Sequence, residues 1–196
     1  MHHSESEKEA VLVLGIGNIL WADEGFGVRA VEALHQAYEF PAEVKLMDGG
    51  TQGLYLLPLV QDADILVIFD AIDYGLPAGT LKLVDDHDVP SYLGVKKMSL
   101  HQTGFQEVLA LSAITGRYPA KVRLIGVQPL DLDTYGGSLT EPVRTQMESS
   151  VAAAIHFLVE QGYPPCRRMR GCVPESLCPS SVNLARYEAG IPLGGR

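Results

Sequence analysis

The chain has 196 residues, 46% of them hydrophobic and 20% charged, with a formal net charge of −9. That length and apolar content suit one α/β domain with a full core, and the acidic excess argues against nucleic acid or anionic lipid as a partner, since both need a basic face. No apolar run approaches the roughly 20 residues of a membrane-spanning helix, so no membrane association is expected.

Residues 1–10 are polar, carry Glu5, Glu7 and Glu9, and lack the apolar centre of a signal peptide. They read as a short disordered lead-in to a cytoplasmic protein. Val11 to Gly15 is a continuous apolar run ending at glycine, the pattern of a buried parallel strand. From Gly27 to Tyr38, apolar residues recur at Val28, Val31, Leu34 and Tyr38, the spacing of one helical face. Val44 to Met47 predicts a second strand, followed by Asp48-Gly49-Gly50. Leu54 to Val60 predicts a short helix, with Pro58 counting against it. Ile65 to Phe69 is a third buried strand, ending at Asp70. Thr80 to Val84 predicts an edge strand after the turn residues Gly75, Pro77 and Gly79. Gln102 to Ala113 predicts a helix and Val122 to Val127 a further strand. Glu141 to Gln161 predicts one long helix with Val143, Met147, Val151, Ile155 and Leu158 inward, and Pro142 in the first turn, where helices accept it.

Short apolar strands alternating with amphipathic helices imply one α/β domain over residues 11–162, its sheet covered by helices on both faces. From Tyr163 the character changes. Pro164, Pro165, Arg167, Arg168, Arg170 and repeated Pro and Gly argue against a packed extension, so residues 163–196 read as an irregular tail. All three cysteines, Cys166, Cys172 and Cys178, lie there; their C-x5-C-x5-C spacing matches no compact zinc pattern. No apolar helix face remains once the core is assigned, so a monomer is expected.

In open α/β sheets, ligands bind beyond the carboxyl ends of the strands. That rule selects Glu24, in the loop after the first strand; Asp70, ending the third; and His101, just before a predicted helix. Two carboxylates and an imidazole make a mixed oxygen and nitrogen set for nickel or zinc, and three protein ligands would leave coordination positions open. Each also has a structural reading: Asp70 could cap a turn, Glu24 could sit in solvent near a helix start, and His101 could cap the following helix. Gly15-x-Gly17 after a strand, with Asp48 after the next, imitates a dinucleotide fingerprint. Leu20 replaces its third glycine and Trp21 adds bulk, so a tight strand-to-loop turn explains the glycines as well. Gly-x-Ser-x-Gly and His-Glu-x-x-His motifs are both absent, which leaves serine hydrolase and ordinary zinc protease readings without support.

Four stretches carry a more specific signal: Gly15-Ile-Gly-Asn-Ile-Leu-Trp-Ala-Asp-Glu-Gly-Phe-Gly-Val-Arg29, Asp48-Gly-Gly-Thr-Gln-Gly53, Asp70-Ala-Ile-Asp73 and Lys97-Met-Ser-Leu-His-Gln102. Together, in this order, the chain resembles the hydrogenase maturation endopeptidases, particularly those serving membrane-bound uptake hydrogenases. The resemblance runs from about Val11 to Gln161 and carries nothing over to the tail. It implies a three-layer α/β/α sandwich around a twisted, mostly parallel sheet of about five strands. It also implies a metal-binding trio of Glu24, Asp70 and His101; of the catalytic candidates Glu24 and Asp70, one is expected to assist the attacking water as base. The implied substrate is the large-subunit precursor of a nickel–iron hydrogenase, with nickel carried by that substrate, and the implied reaction is removal of its C-terminal peptide. Asp48, Gly49, Gly50 and Gly53 are expected to let backbone approach the substrate, although a plain glycine-rich turn explains them equally. Two rivals stand beside this reading: a nickel-sensing chaperone that inspects the precursor without cutting it, and a nucleotide-binding protein.

Overall fold

A computed structural model describes residues 9–89, 100–169, 171–172 and 174–177, with only the backbone described at 100–103. In chain order, β1 (Val11–Ile16) leads through a 3-10 turn (Ala22–Gly25) into α1 (Phe26–Ala37), β2 (Tyr38–Glu39) and β3 (Val44–Gly50). A second 3-10 turn (Gly53–Leu56), α2 (Leu57–Gln61), β4 (Ile65–Ala71) and β5 (Leu81–Asp85) follow. Then come α3 (Leu100–Ile114), β6 (Lys121–Val127), α4 (Glu141–Arg144), α5 (Met147–Glu160) and β7 (Cys166–Arg167). The main sheet has five strands in the order β3-β1-β4-β6-β5. All neighbours are parallel except β5, which runs antiparallel at the edge.

Strand alternation divides the core into two layers. Val11, Val13, Ile65, Val67 and Phe69 face α1 and α5, where they meet Phe26, Val31, Leu34, Phe157 and Leu158. Leu12, Leu14, Ile16, Leu66 and Ile68 face the opposite way, toward Val60 of α2 and Phe105, Val108 and Leu109 of α3. With helices on both faces, the inner strands need apolar side chains at every position, and all seven residues of β4 are buried. This is the expected α/β/α sandwich.

Two glycines set the contact between helix and sheet. A Cβ on Gly15 would lie 2.3 Å from the Gly27 carbonyl oxygen, and one on Gly27 would lie 2.2 Å from the carbonyl oxygens of both Ile16 and Phe69. The first turn of α1 therefore rests on the ends of β1 and β4, an approach that only glycine permits.

Three segments differ from expectation. The helix predicted over 54–60 is a 3-10 turn followed by α2, which starts afresh with Pro58 in its first turn, where the missing N–H costs nothing. The long final helix is broken between Arg144 and Met147. There the Thr145 hydroxyl donates to the Pro142 carbonyl at 3.0 Å, and the Gln146 N–H reaches back only three residues, to Val143. Such local bonds compete with the regular helical ladder. The break alters which face of α5 is buried: Ser150, Ala154, Phe157 and Leu158 go inward, while Met147, Val151 and Ile155 are only partly covered.

The third difference lies in the tail, where described residues pack. β7 pairs antiparallel with β2, Tyr38 opposite Arg167 and Glu39 opposite Cys166. Arg168 donates its backbone N–H to Ala37 at 2.9 Å, Nε to the His35 carbonyl at 3.0 Å and Nη1 to Glu39 at 2.7 Å. Composition signalled looseness because it cannot reveal an open strand edge waiting elsewhere in the fold. At the other terminus, the Glu9 carbonyl accepts from the Tyr163 hydroxyl at 2.9 Å, and residues 1–8 of the expected lead-in lie outside the described residues. Among the described residues, no helix is long and apolar enough to cross a membrane.

Candidate active site

The loop after β1 begins at Gly17, whose φ of +136° favours glycine and whose N–H donates to the Gly50 carbonyl at 3.0 Å. The Asn18 N–H then reaches forward to the Glu24 carbonyl at 3.1 Å, folding the loop back on itself. Its anchor is Asp23, fully buried. One carboxylate oxygen accepts the N–H groups of Leu130 and Asp131 at 2.9 and 3.0 Å and the Thr140 hydroxyl at 2.9 Å; the other accepts the Thr140 N–H at 2.7 Å. Trp21 meets Tyr135 edge to face, ring centroids 5.3 Å apart. The loop after β6 is thereby tied to the loop after β1.

Of the adjacent acids Asp23 and Glu24, the first is thus a structural anchor and the second is left half-buried at the rim. Sequence reading passed over Asp23 because nothing local distinguishes an inward acid from an outward one. Burial, and secondarily the negative charge of Asp133, raise the Glu24 carboxyl to about 7.

Asp70 lies within β4, opposite Gly126 of β6, and is completely buried. Alternation along β4 directs it to the same face as Leu66 and Ile68, the side that α3 covers. The 3-10 turn carrying Glu24 packs directly on β4, so the two acids come to one end of the sheet. His101 is the second residue of α3, and its side chain lies outside the described parts. The start of α3 is held at this same end: a Cβ on Gly104 would lie 3.3 Å from Gly53 Cα. Among the described side chains, no three acids, histidines or cysteines converge on a metal position.

Asp48 belongs to β3 rather than to the following loop. It pairs with Gly15, and Ile16 pairs with Gly50, so Gly49 is the extra residue of a bulge. Gly49 needs its small size there, since a Cβ would meet Ile16 Cδ1 at 2.8 Å. Gly50 and Gly53 both have positive φ, 46° and 53°. The Asp48 carbonyl accepts the Gln52 side-chain amide at 3.1 Å. Between Gly17–Leu20 and Asp48–Gln52 runs a groove of about 420 Å³. The dinucleotide reading fails at Gly17, the glycine that would have to let a pyrophosphate approach: a Cβ there would lie 1.9 Å from the Glu24 carbonyl oxygen, so the loop itself fills that face.

These features define an α/β protein with two acids, Glu24 and Asp70, brought to the carboxyl ends of β1 and β4. The sequence profile of the hydrogenase maturation protease family matches residues 28–157. The hydrogenase expression/formation protein HoxM of Azotobacter vinelandii is 58% identical over 182 residues, covering 93% of this chain and 87% of its own. The hydrogenase 2 maturation protease of Escherichia coli K12 is 42% identical over 153 residues, or 78% of this chain and 92% of that one. The solved structure of the E. coli hydrogenase maturating endopeptidase HybD matches with a TM-score of 0.77 at 39% identity, over 81% of this chain and 98% of that chain. The chain belongs to the hydrogenase maturation protease family, and its activity is that of a peptide hydrolase.

Proposed function

We propose that this protease removes the C-terminal peptide of a nickel–iron hydrogenase large-subunit precursor after nickel has been inserted, and that Glu24, Asp70 and His101 meet the nickel of the substrate. The observation that carries this reading is the convergence of the Glu24 turn, the end of β4 and the start of α3 at one rim of the sheet. Two carboxylates and an imidazole suit nickel. A substrate-borne ion with open coordination positions would bind this trio, and an empty precursor would offer it nothing.

A carboxyl with a pKa of about 7 can accept a proton from an attacking water and return it to the departing amine near neutral pH. That assigns proton transfer to Glu24 and leaves the fully buried Asp70 as a ligand to the ion. The nickel would polarise the scissile carbonyl. The water oxygen bonds to the carbonyl carbon, the C–N bond breaks, and the new amine takes the proton.

Intact mass of purified nickel-loaded precursor, measured before and after incubation with the protein, tests this. Wild type should release one C-terminal peptide; Asp70→Asn, Glu24→Gln and His101→Ala should each lose at least about a hundredfold in rate, the usual contribution of one acid–base or electrostatic group. Nickel-free precursor should stay intact. An unchanged mass despite verified association would replace the protease reading with that of a nickel-sensing chaperone.

A further inference from the structure

The tail from Tyr163 to Leu177 does more than cover α1. Its attachments follow α1 backwards. Arg167 and Arg168 are fixed at Ala37–Glu39, near the helix's C-terminal end. The Glu175 carbonyl lies 3.0 Å from His35 Nε2, and the Leu177 N–H donates to Glu32 Oε2 at 2.9 Å. The strap thus travels toward the N-terminal end of α1, where the Glu24 loop lies, and Leu177 arrives as a wall of the groove shared with Asn18, Leu20, Met47, Asp48 and Gly50.

Glu32 is the informative residue. Its side chain is on a helix in the body of the protein, only 8% of the residue is exposed, and the reaction has no evident use for it. A buried carboxylate is costly unless donors compensate it, and here the two oxygens take Gln36 Nε2 at 2.8 Å and the Leu177 N–H. A charge-assisted bond to one backbone N–H of a tail fixes that tail's position more firmly than apolar contact does. What it fixes is the position of Leu177, whose side chain is partly buried against the apolar residues of the α1 face and which lines the groove.

We infer that the C-terminal strap is part of the substrate-binding machinery, with Leu177 forming the wall that receives an apolar side chain of the precursor peptide beside the scissile bond, and Glu32 positioning it. This rests on the protease reading above and places Leu177 outside residues 28–157, the stretch that the family profile matches. Leu177 touches substrate; Glu32 acts through Leu177.

Steady-state cleavage of nickel-loaded precursor by full-length variants tests it, alongside direct binding of the same precursor. Leu177→Ser should raise KM about tenfold with kcat within about twofold, the discrimination expected when an apolar pocket loses a few methylenes. Leu177→Met should restore most of the affinity. Glu32→Ala, which leaves the groove chemistry intact but releases the strap, should raise KM in the same direction, and thermal unfolding above the assay temperature verifies that each variant is folded. An unchanged KM in Leu177→Ser, or a lower one, would overturn the inference while wild-type cleavage kept the protease reading intact. A loss confined to kcat would overturn it equally. Wild type that neither binds nor cleaves the precursor would remove both readings together.

Discussion

Glu24 and Asp23 are neighbours in sequence with opposite lives in the fold. Asp23 faces inward and receives four hydrogen bonds; Glu24 stays half-exposed and holds its proton up to about pH 7. A carboxyl whose folded pKa lies above its unfolded value of 4.5 binds protons more tightly when folded. Folding is then unpenalised below pH 4.5 and progressively disfavoured as the pH rises through 4.5 to about 7. Glu24→Gln removes that penalty. The variant should match wild type in Tm at pH 4 and exceed it at pH 8, by only about 2–4 °C, because water screens a half-exposed group. Thermal melts at the two pH values check this, and equal differences at both would show that the raised pKa has another origin.

The packing of α1 on the sheet depends on backbone lying against backbone. Gly27 sits 2.2 Å, measured from an added Cβ, from two carbonyl oxygens belonging to different strands, neither of which can move without disturbing β1 or β4. Gly27→Ala should therefore cost about 3 kcal/mol or more, read as a lower urea midpoint. Gly116 offers a contrast, since its φ is +71° but an added Cβ would meet open space. Gly116→Ala should cost only about 1–2 kcal/mol, the penalty of a left-handed conformation alone. Comparable losses in both variants would contradict the close-approach argument. The same elements show how far the chain was legible beforehand. Continuous apolar runs located β1, β4 and β6 because buried parallel strands need no alternation. The ends of β3 and the break before α5 were not readable: the bulge at Gly49 depends on Gly15 and Ile16 of a distant strand, and the Thr145 hydroxyl bond to Pro142, though local, leaves no mark in the apolar spacing.

Among the described residues, five exposed large apolar side chains follow strand ends, while Leu83, Leu111, Ile114, Val159 and Met169 lie elsewhere. Leu54 and Tyr55 follow β3, Leu76 follows β4, and Leu130 and Tyr135 follow β6. Tyr55 is 87% exposed and Tyr135 65%, values that suit aromatic anchors of a protein interface. The same rim carries the acidic centre, so a large protein substrate would cover both. Tyr55→Ala combined with Tyr135→Ala should weaken precursor association about tenfold or more, measured by binding to the Asp70→Asn background to prevent turnover. Unchanged affinity would place the docking face elsewhere.

Sequence reading reached the α/β class, the strand and helix order of the body and, through motif resemblance, the protease family. Those rest on short-range periodicity and on residue types whose chemistry is narrow. Long-range packing supplied the rest. It placed Asp23 inside and Glu24 at the rim, made Asp48 part of a strand, and laid the tail along α1 to bring Leu177 beside the groove. Each of these outcomes turns on a partner 30 to more than 140 positions away, such as Gly15 for Asp48 or Glu32 for Leu177, whose |i−j| is 145. Local composition carries no record of such pairings, because the same residues would be equally stable in solvent until the distant partner is in place.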